Sequence, residues 1–377
     1  MIEIRQTPAG GNLKAFLGVV DTIYASDKSY VRSLDFDLSE RLHPKKNPFF
    51  EHGDATLFTA HRNGQCVGRI SASVDHEHLD RHKDATGFFG FLDTVEDQEV
   101  VTMLLRAAED WLRGRGMKTA RGPFSLSINE EIGCLVEGFD SSPMIMMPHH
   151  RPYQGGLIEG AGYTKAKDVF AWKYVVGALN TRTKRAHQEV QAMPEVTCRT
   201  LSPKDLDRDV TLVTDIFNDA WAENWSFVPF TRNEVRKMAK DFKLILEPEL
   251  TRIAFIDGEP AAVAVALPNI NELIPDLNGK LLPLGFAKLL YRLKVQGPKT
   301  ARLVILGIRK KFRFNRKYAP LSVFLFGELH ESGKRIGIQW GELGWTLEDN
   351  GPVNAAIRVM GGEVYKKYRV YERSLTV

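Results

Sequence analysis

The feature that most constrains this chain is that one order of strand-like and helix-like segments runs through it twice. In the first half, residues 2–6 alternate as a short strand and 13–24 carry apolar side chains at helical spacing. Residues 55–61 and 65–74 read as two strands joined across Asn63-Gly64, a strong signal for a two-residue hairpin turn. An apolar strand over 87–92 follows. The segment 98–115 then puts Val101, Leu104, Leu105, Ala108 and Leu112 on one helix face and stops at Gly116. A glycine-bearing stretch leads to Tyr153, a short helix ending near Gly162 and a strand over 169–176.

Residues 177–194 are polar and basic and read as a linker or connecting helix. The order then starts again: strand 196–201, helix 206–221, hairpin 252–256 with 261–267 and strand 302–308. A basic loop, a helix from about 320 to 332, a strand over 340–346, a helix over 353–360 and a strand over 365–371 complete it. A chain of 377 residues is long for one domain and fits two, each with its own core. The expectation is an α/β protein with mixed sheets, divided into domains 1–180 and 195–377.

Charge matters mainly for what it excludes. A net charge of +4 is too small to argue for nucleic acid, although bases cluster around Lys310. Three cysteines, Cys66, Cys134 and Cys198, without C-x-x-C spacing indicate neither a disulfide framework nor a zinc knuckle. Met1 leads into a polar strand without an export-signal pattern, and no apolar run reaches the roughly 18 residues that span a bilayer. A cytoplasmic protein is expected, at most peripheral on the cytoplasmic membrane.

The most specific stretch is Gly341-Glu342-Leu343-Gly344-Trp345-Thr346-Leu347-Glu348-Asp349-Asn350, followed by Asn354 and by Gly361-Gly362-Glu363-Val364-Tyr365-Lys366-Lys367-Tyr368-Arg369-Val370-Tyr371-Glu372. Together with Leu306-Gly307-Ile308 and the basic loop after it, this closely resembles the last third of a bacterial GNAT (Gcn5-related N-acetyltransferase) family. Arg121-Gly122-Pro123-Phe124-Ser125-Leu126-Ser127-Ile128-Asn129-Glu130-Glu131-Ile132-Gly133, with Tyr153, Glu159, Gly162 and Tyr163, resembles the first half of the same tandem family. The chain thus resembles tandem GNAT-like acyltransferases, and among characterised ones the bacterial ceramide synthases, which acylate a sphingoid base.

That resemblance implies transfer of an acyl group from acyl-CoA, or acetyl-CoA, to a primary amine, with no permanently bound cofactor and no metal. In such enzymes amides at a helix N-terminus hold the coenzyme pyrophosphate. Where the family has the glycines of R/Q-x-x-G-x-G/A, this chain has Phe314 and Arg316, so arginine contacts would have to stand in. The implied coenzyme contacts are Ile308, Arg309, Arg313, Asn315, Arg316, Asn350 and Asn354. Deprotonating the amine requires a base, for which Glu342, Glu131 and His149 are candidates; Tyr153 or Tyr365 would protonate the leaving thiolate. Asp75-His76-Glu77-His78 has ligand-type residues, but reads as a solvated hairpin end.

Residues 279–294 combine Leu281, Leu282, Leu284, Phe286, Leu289 and Leu290 with Lys280, Lys288, Arg292 and Lys294, the composition of a basic amphipathic surface helix. This suggests contact with a membrane surface and a lipidic acceptor. Two other readings stay open: an acetyl-CoA-dependent small-molecule N-acetyltransferase, and a non-catalytic ligand-binding GNAT scaffold. Oligomeric state and the half that takes the donor are left undetermined.

Overall fold

The computed structural model describes residues 1–376 and resolves into two compact units interleaved along the chain. Unit 1 comprises Met1–Val169, Ile274–Phe286 and the chain from Lys366; unit 2 comprises Phe170–Leu273 and Ala287–Tyr365. The first stretch of unit 1 contains β1 (Ile2–Pro8), α1 (Lys14–Ile23), α2 (Asp35–Arg41), β2 (Gly53–Arg62), β3 (Gln65–Asp75), α3 (His76–His82), β4 (Thr86–Thr94), α4 (Gln98–Arg113), β5 (Thr119–Gly122), β6 (Cys134–Glu137), α5 (Gln154–Gly160) and the start of β7 (Thr164–Val175). Then come α6 (Thr181–Gln191), β8 (Val196–Arg199), α7 (Leu206–Trp221), α8 (Arg232–Phe242), β9 (Thr251–Ile256), β10 (Glu259–Pro268), α9 (Gly285–Tyr291), β11 (Thr300–Ile308), α10 (Lys310–Arg313), α11 (Leu321–Arg335), β12 (Trp340–Leu347), α12 (Gly351–Met360) and β13 (Glu363–Ser374).

In unit 1 the strands run β1-β2-β3-β4-β5 and then the later part of β13, with β4 parallel to β5 and the other neighbouring pairs antiparallel. Asp97 caps α4 by accepting from the Glu99 and Val100 amides. The face of α4 anticipated from its spacing, Val101, Leu104, Leu105, Ala108 and Leu112, packs on Phe58, Ile70, Ala72, Phe89 and Leu92. Truncating Leu104, which has no exposed surface, to alanine would cost about 2–5 kcal/mol. In unit 2 the order is β8-β9-β10-β11-β12, antiparallel except for the parallel pair β11/β12. Leu321, Phe324 and Leu325 of α11 pack with Ala254, Ala262, Ala264 and Leu303, the small β10 residues allowing the helix close.

Three local expectations need correction. The Asp75 carboxylate accepts from the Glu77 and His78 amides and starts α3, and Asp75 and His78 are buried, so residues 75–78 begin a helix and are not a solvated hairpin end. Within 279–294, helix begins only at Gly285 and passes into a π turn over Arg292–Gln296. Pro283, which lacks an N–H, interrupts the earlier part. The sequence reading omitted α2 and α8, and α8 carries a complete capping box between Thr231 and Glu234. No helix among the described residues is long and apolar enough to cross a membrane.

Candidate functional site

β11 and β12 pair from Thr300↔Trp340 to Leu303↔Leu343, then continue to Ile308 and Leu347 without a ladder between them. A bulge on β11 accompanies the parting: against β10, Val265 pairs with Ile305 and Ala266 with Leu303, leaving Val304 extra. Beyond that point Val304, Ile305, Leu306 and Ile308 are half-buried, as are Gly344 and Trp345 on β12. Where they face each other, the parted edges carry backbone donors and acceptors that, among the described residues, have no strand partner, flanked by apolar side chains. Such an opening suits an extended chain that is polar along its backbone and apolar at its end.

One level before the last pair, Arg302 lies opposite Glu342. Their side chains are only 5% and 0% exposed, and Arg302 Nε lies 2.8 Å from Glu342 Oε1, an ion contact outside hydrogen-bond alignment. The Tyr365 hydroxyl donates to the other Glu342 oxygen. Two residues singled out from sequence, Glu342 and Tyr365, are therefore in direct contact, one position before the strands separate.

On α7, Trp221 lies over Gly307, where an added Cβ would meet the indole at 2.2 Å. Only glycine permits this approach. Phe217 stacks on Trp221 at 4.7 Å between ring centroids and also meets Phe227 and Phe230. This aromatic group beside the parted part of β11 was missed in the sequence, where its rings fall in and after one helix pattern without a recognisable motif.

The basic loop after β11 is largely tied into the protein. The Arg309 amide donates to Ala261 O and its Nε to Pro260 O. The Lys310 amide donates to Asp219 at 2.7 Å, so a carboxylate already occupies the start of α10. Lys310 pairs with Glu223, Lys311 with Glu259 and Lys317 with Glu195. Arg313 donates to Ala220 O at 3.0 Å, and Asn315 accepts from the Lys317 amide. Arg316 is exposed and, among the described residues, has neither a hydrogen bond nor an ion pair through its side chain. The 15-residue α11 that follows begins without a side-chain cap, leaving first-turn amides available.

At the other end of β12, buried Asn354 accepts from Thr346 Oγ1 at 2.6 Å and donates to the Leu347 carbonyl; Thr346 also accepts from the Trp172 indole. This network fixes the β12–α12 turn and occupies the Asn354 amide. Asn350 stands at the α12 N-cap without a side-chain cap bond.

The equivalent place in unit 1 is closed by the chain itself. β4 and β5 pair only through Phe88↔Arg121, but every residue of β4 is buried. The Phe124 amide donates to Phe89 O at 2.7 Å, and a Cβ on Gly90 would lie 1.7 Å from the Phe124 carbonyl oxygen. The segment after β5 thus fills the space where these strands diverge. Glu131, His149 and Tyr153 all fall in this unit. Arg41 bridges Glu130 at 2.6 Å and Glu131 at 3.2 Å. His149 Nε2 is 3.0 Å from Asp27; burial lowers the imidazole pKa despite that carboxylate. The Tyr153 hydroxyl donates to Thr94 O at 2.8 Å, and burial raises its pKa. All three are engaged in hydrogen bonds or ion pairs within unit 1, apart from the contact that joins Glu342 to Tyr365.

No model of a protein family matches the chain. It is 41% identical to the Bacterial ceramide synthase of Caulobacter vibrioides (strain NA1000 / CB15N), over 98% of this chain and 96% of that protein. It is 38% identical to Protein YghO of Escherichia coli (strain K12), over 97% of this chain and 93% of that protein. Among solved structures, a tandem GNAT protein from the clavulanic acid biosynthesis pathway (without AcCoA) superposes with a TM-score of 0.60 at 12% identity, covering 100% of this chain and 99% of the other.

Proposed function

The chain belongs to the tandem GNAT acyltransferase family that includes a bacterial ceramide synthase, and on that premise we propose that it transfers a long acyl chain from acyl-CoA to the amine of a sphingoid long-chain base. The observation carrying this reading is the parting of β11 from β12, with half-buried apolar walls, against the filled gap in unit 1. Unit 2 accordingly takes the donor. The unpartnered edges of β11 and β12 hold the pantetheine by strand-like hydrogen bonds. Arg316 and the first-turn amides of α11 receive the phosphates, with Arg309, Arg313 and Asn315 shaping the loop. Ile308 contributes an apolar wall, while Asn350 and Asn354 hold the far end of β12.

The amine nitrogen attacks the thioester carbonyl, the carbon–sulfur bond breaks, and the proton lost by nitrogen finally resides on the thiol. Tyr365 is the proposed carrier of that proton. Glu342 orients the phenol by accepting its hydrogen bond, and Arg302 holds the carboxylate in place. The rings of Phe217, Trp221, Phe227 and Phe230 provide an apolar lining beside β11, as an aliphatic substrate requires. A lipid acceptor is met at a membrane surface, and residues 279–294 are the proposed contact.

The test is thiol release by purified protein from acyl-CoAs of graded chain length, with a sphingoid base or small soluble amines, and mass spectrometry of the product. Amide formation favouring long acyl chains and the sphingoid base supports the proposal. A preference for acetyl-CoA with soluble amines would replace it with the small-molecule reading, and no thiol release with any pair would remove the enzymatic assignment.

A further inference from the structure

Between Leu277 and Thr300 there is no aspartate or glutamate, while Lys280, Lys288, Arg292, Lys294 and Lys299 all fall there. The same segment divides its apolar residues cleanly. Leu289 and Leu293, one helical turn apart, are 8% and 9% exposed and face inward. Leu282, Leu284, Phe286, Tyr291 and Val295 are 83%, 74%, 49%, 57% and 66% exposed. Five of the fourteen large exposed apolar side chains among the described residues thus fall within fourteen consecutive positions. Scattered exposed hydrophobes need no explanation, but a cluster does.

We infer that residues 280–295 form a shallow docking surface for an anionic phospholipid bilayer, with Leu282, Leu284, Phe286, Tyr291 and Val295 entering the headgroup–acyl boundary and Lys280 and Lys294 meeting the lipid phosphates. The inference deepens the lipid-acceptor proposal and rests on it only for its biological purpose. Composition selects the partner: apolar tips among lysines, on a segment that itself carries no acid, match a negatively charged interface, where lysine stems lie along the apolar layer and the ammonium groups stay at the phosphates. A second copy of the same surface would set like charges against one another. Arg292 is turned inward, donating to Leu273 O at 2.5 Å, so it belongs to the support of this surface.

The experiment is co-sedimentation of the full chain with vesicles of phosphatidylcholine alone or mixed with phosphatidylglycerol, at low and high salt. Binding is expected to the mixed vesicles and to weaken with salt. Replacing Lys280→Ala and Lys294→Ala together should lower the partition constant about 30-fold, since each lysine near an anionic surface is worth about 1 kcal/mol. Leu282→Ser with Leu284→Ser should abolish sedimentation while thermal melting stays as in the parent. The inference is overturned if the parent ignores anionic vesicles, if it binds them with both variants unaffected, or if those leucines instead support a concentration-dependent dimer. Thiol release with a water-soluble amine, run on the same samples, reports separately on the catalytic proposal: membrane binding without turnover removes only the latter, and turnover without binding only the former.

Discussion

Replacing Glu342 separates the structural and chemical parts of the proposed site. In Glu342→Gln the Arg302 guanidinium, 5% exposed, keeps its charge and loses the compensating carboxylate 2.8 Å away. Removing one member of a buried pair costs about 3–5 kcal/mol, because the remaining charge stays desolvated. At roughly 2–4 °C per kcal/mol for a unit of this size, melting should fall by roughly 6–20 °C. The glutamine carbonyl still accepts from Tyr365, so turnover measured well below the melting point should be partly retained. Arg302→Met combined with Glu342→Leu removes both charges, and its melting point should recover to within about 3 °C of the parent, as apolar replacements of whole buried pairs are often neutral. That double variant leaves Tyr365 without its acceptor, so kcat should remain low while the KM for acyl-CoA changes little. The assays are calorimetric melting and steady-state thiol release on all variants. A Glu342→Gln protein that melts like the parent would refute the buried-charge reasoning; a double variant with full kcat would refute the positioning of Tyr365 by Glu342.

Three further outcomes follow from the surroundings of single residues. Arg316→Ala should raise the KM for acyl-CoA at least about tenfold, the loss of one charged hydrogen bond worth about 1.5–3 kcal/mol, without lowering the melting point; an unchanged KM takes Arg316 out of the phosphate site. Burial pushes the His150 imidazole down from 6.5 to about 4, against the partial opposition of Asp93. The unfolded chain therefore binds a proton at this position below about pH 6.5 that the folded chain takes up only near pH 4. Stability should fall by about 3 kcal/mol across that window, and denaturant titrations of His150→Gln should show a shallower pH slope. An equal slope in parent and variant would contradict this. Gly90→Ala puts a methyl group 1.7 Å from the Phe124 carbonyl oxygen and should lower stability by more than about 3 kcal/mol, whereas Gly156→Ala on α5, with nothing within 4 Å, should be neutral or stabilising. Equal tolerance of the two changes would show that the unit 1 gap is not tightly filled.

How much of this was legible in the sequence depends on whether the signal was local. The α4 stripe, the Asn63-Gly64 hairpin and the 341–372 pattern all lie within single segments, and the element order could be followed from them. α8 was legible too, through Thr231 and Glu234 at its start and through Val235, Met238, Ala239 and Phe242 at helical spacing. Glu342 and Tyr365 stood out as separate candidates; the hydrogen bond between them joins residues on different strands, and Arg302, which completes the group, was one more basic residue in an apolar run. Nor did the chain announce that its final stretch, with Tyr371↔Gly122 in register, completes the sheet of unit 1.

The difference between the two halves was the least legible feature, and the physical reason is specific. Residues 87–92 and 302–308 are both apolar strand patterns with a glycine, and both strands part from a parallel neighbour after a few pairs. What differs lies on the other side of each gap. Gly90 admits the backbone of Phe124, which donates to β4 and closes unit 1. Gly307 admits the indole of Trp221, which covers one face of β11 while Val304, Ile305 and Leu306 remain half-exposed. The same residue type permits a backbone plug in one copy and a side-chain wall in the other. A duplicated fold can in this way fill the space beside one pair of parting strands and leave the other pair's edges apart, with the distinction written in what each glycine accommodates rather than in the glycine itself.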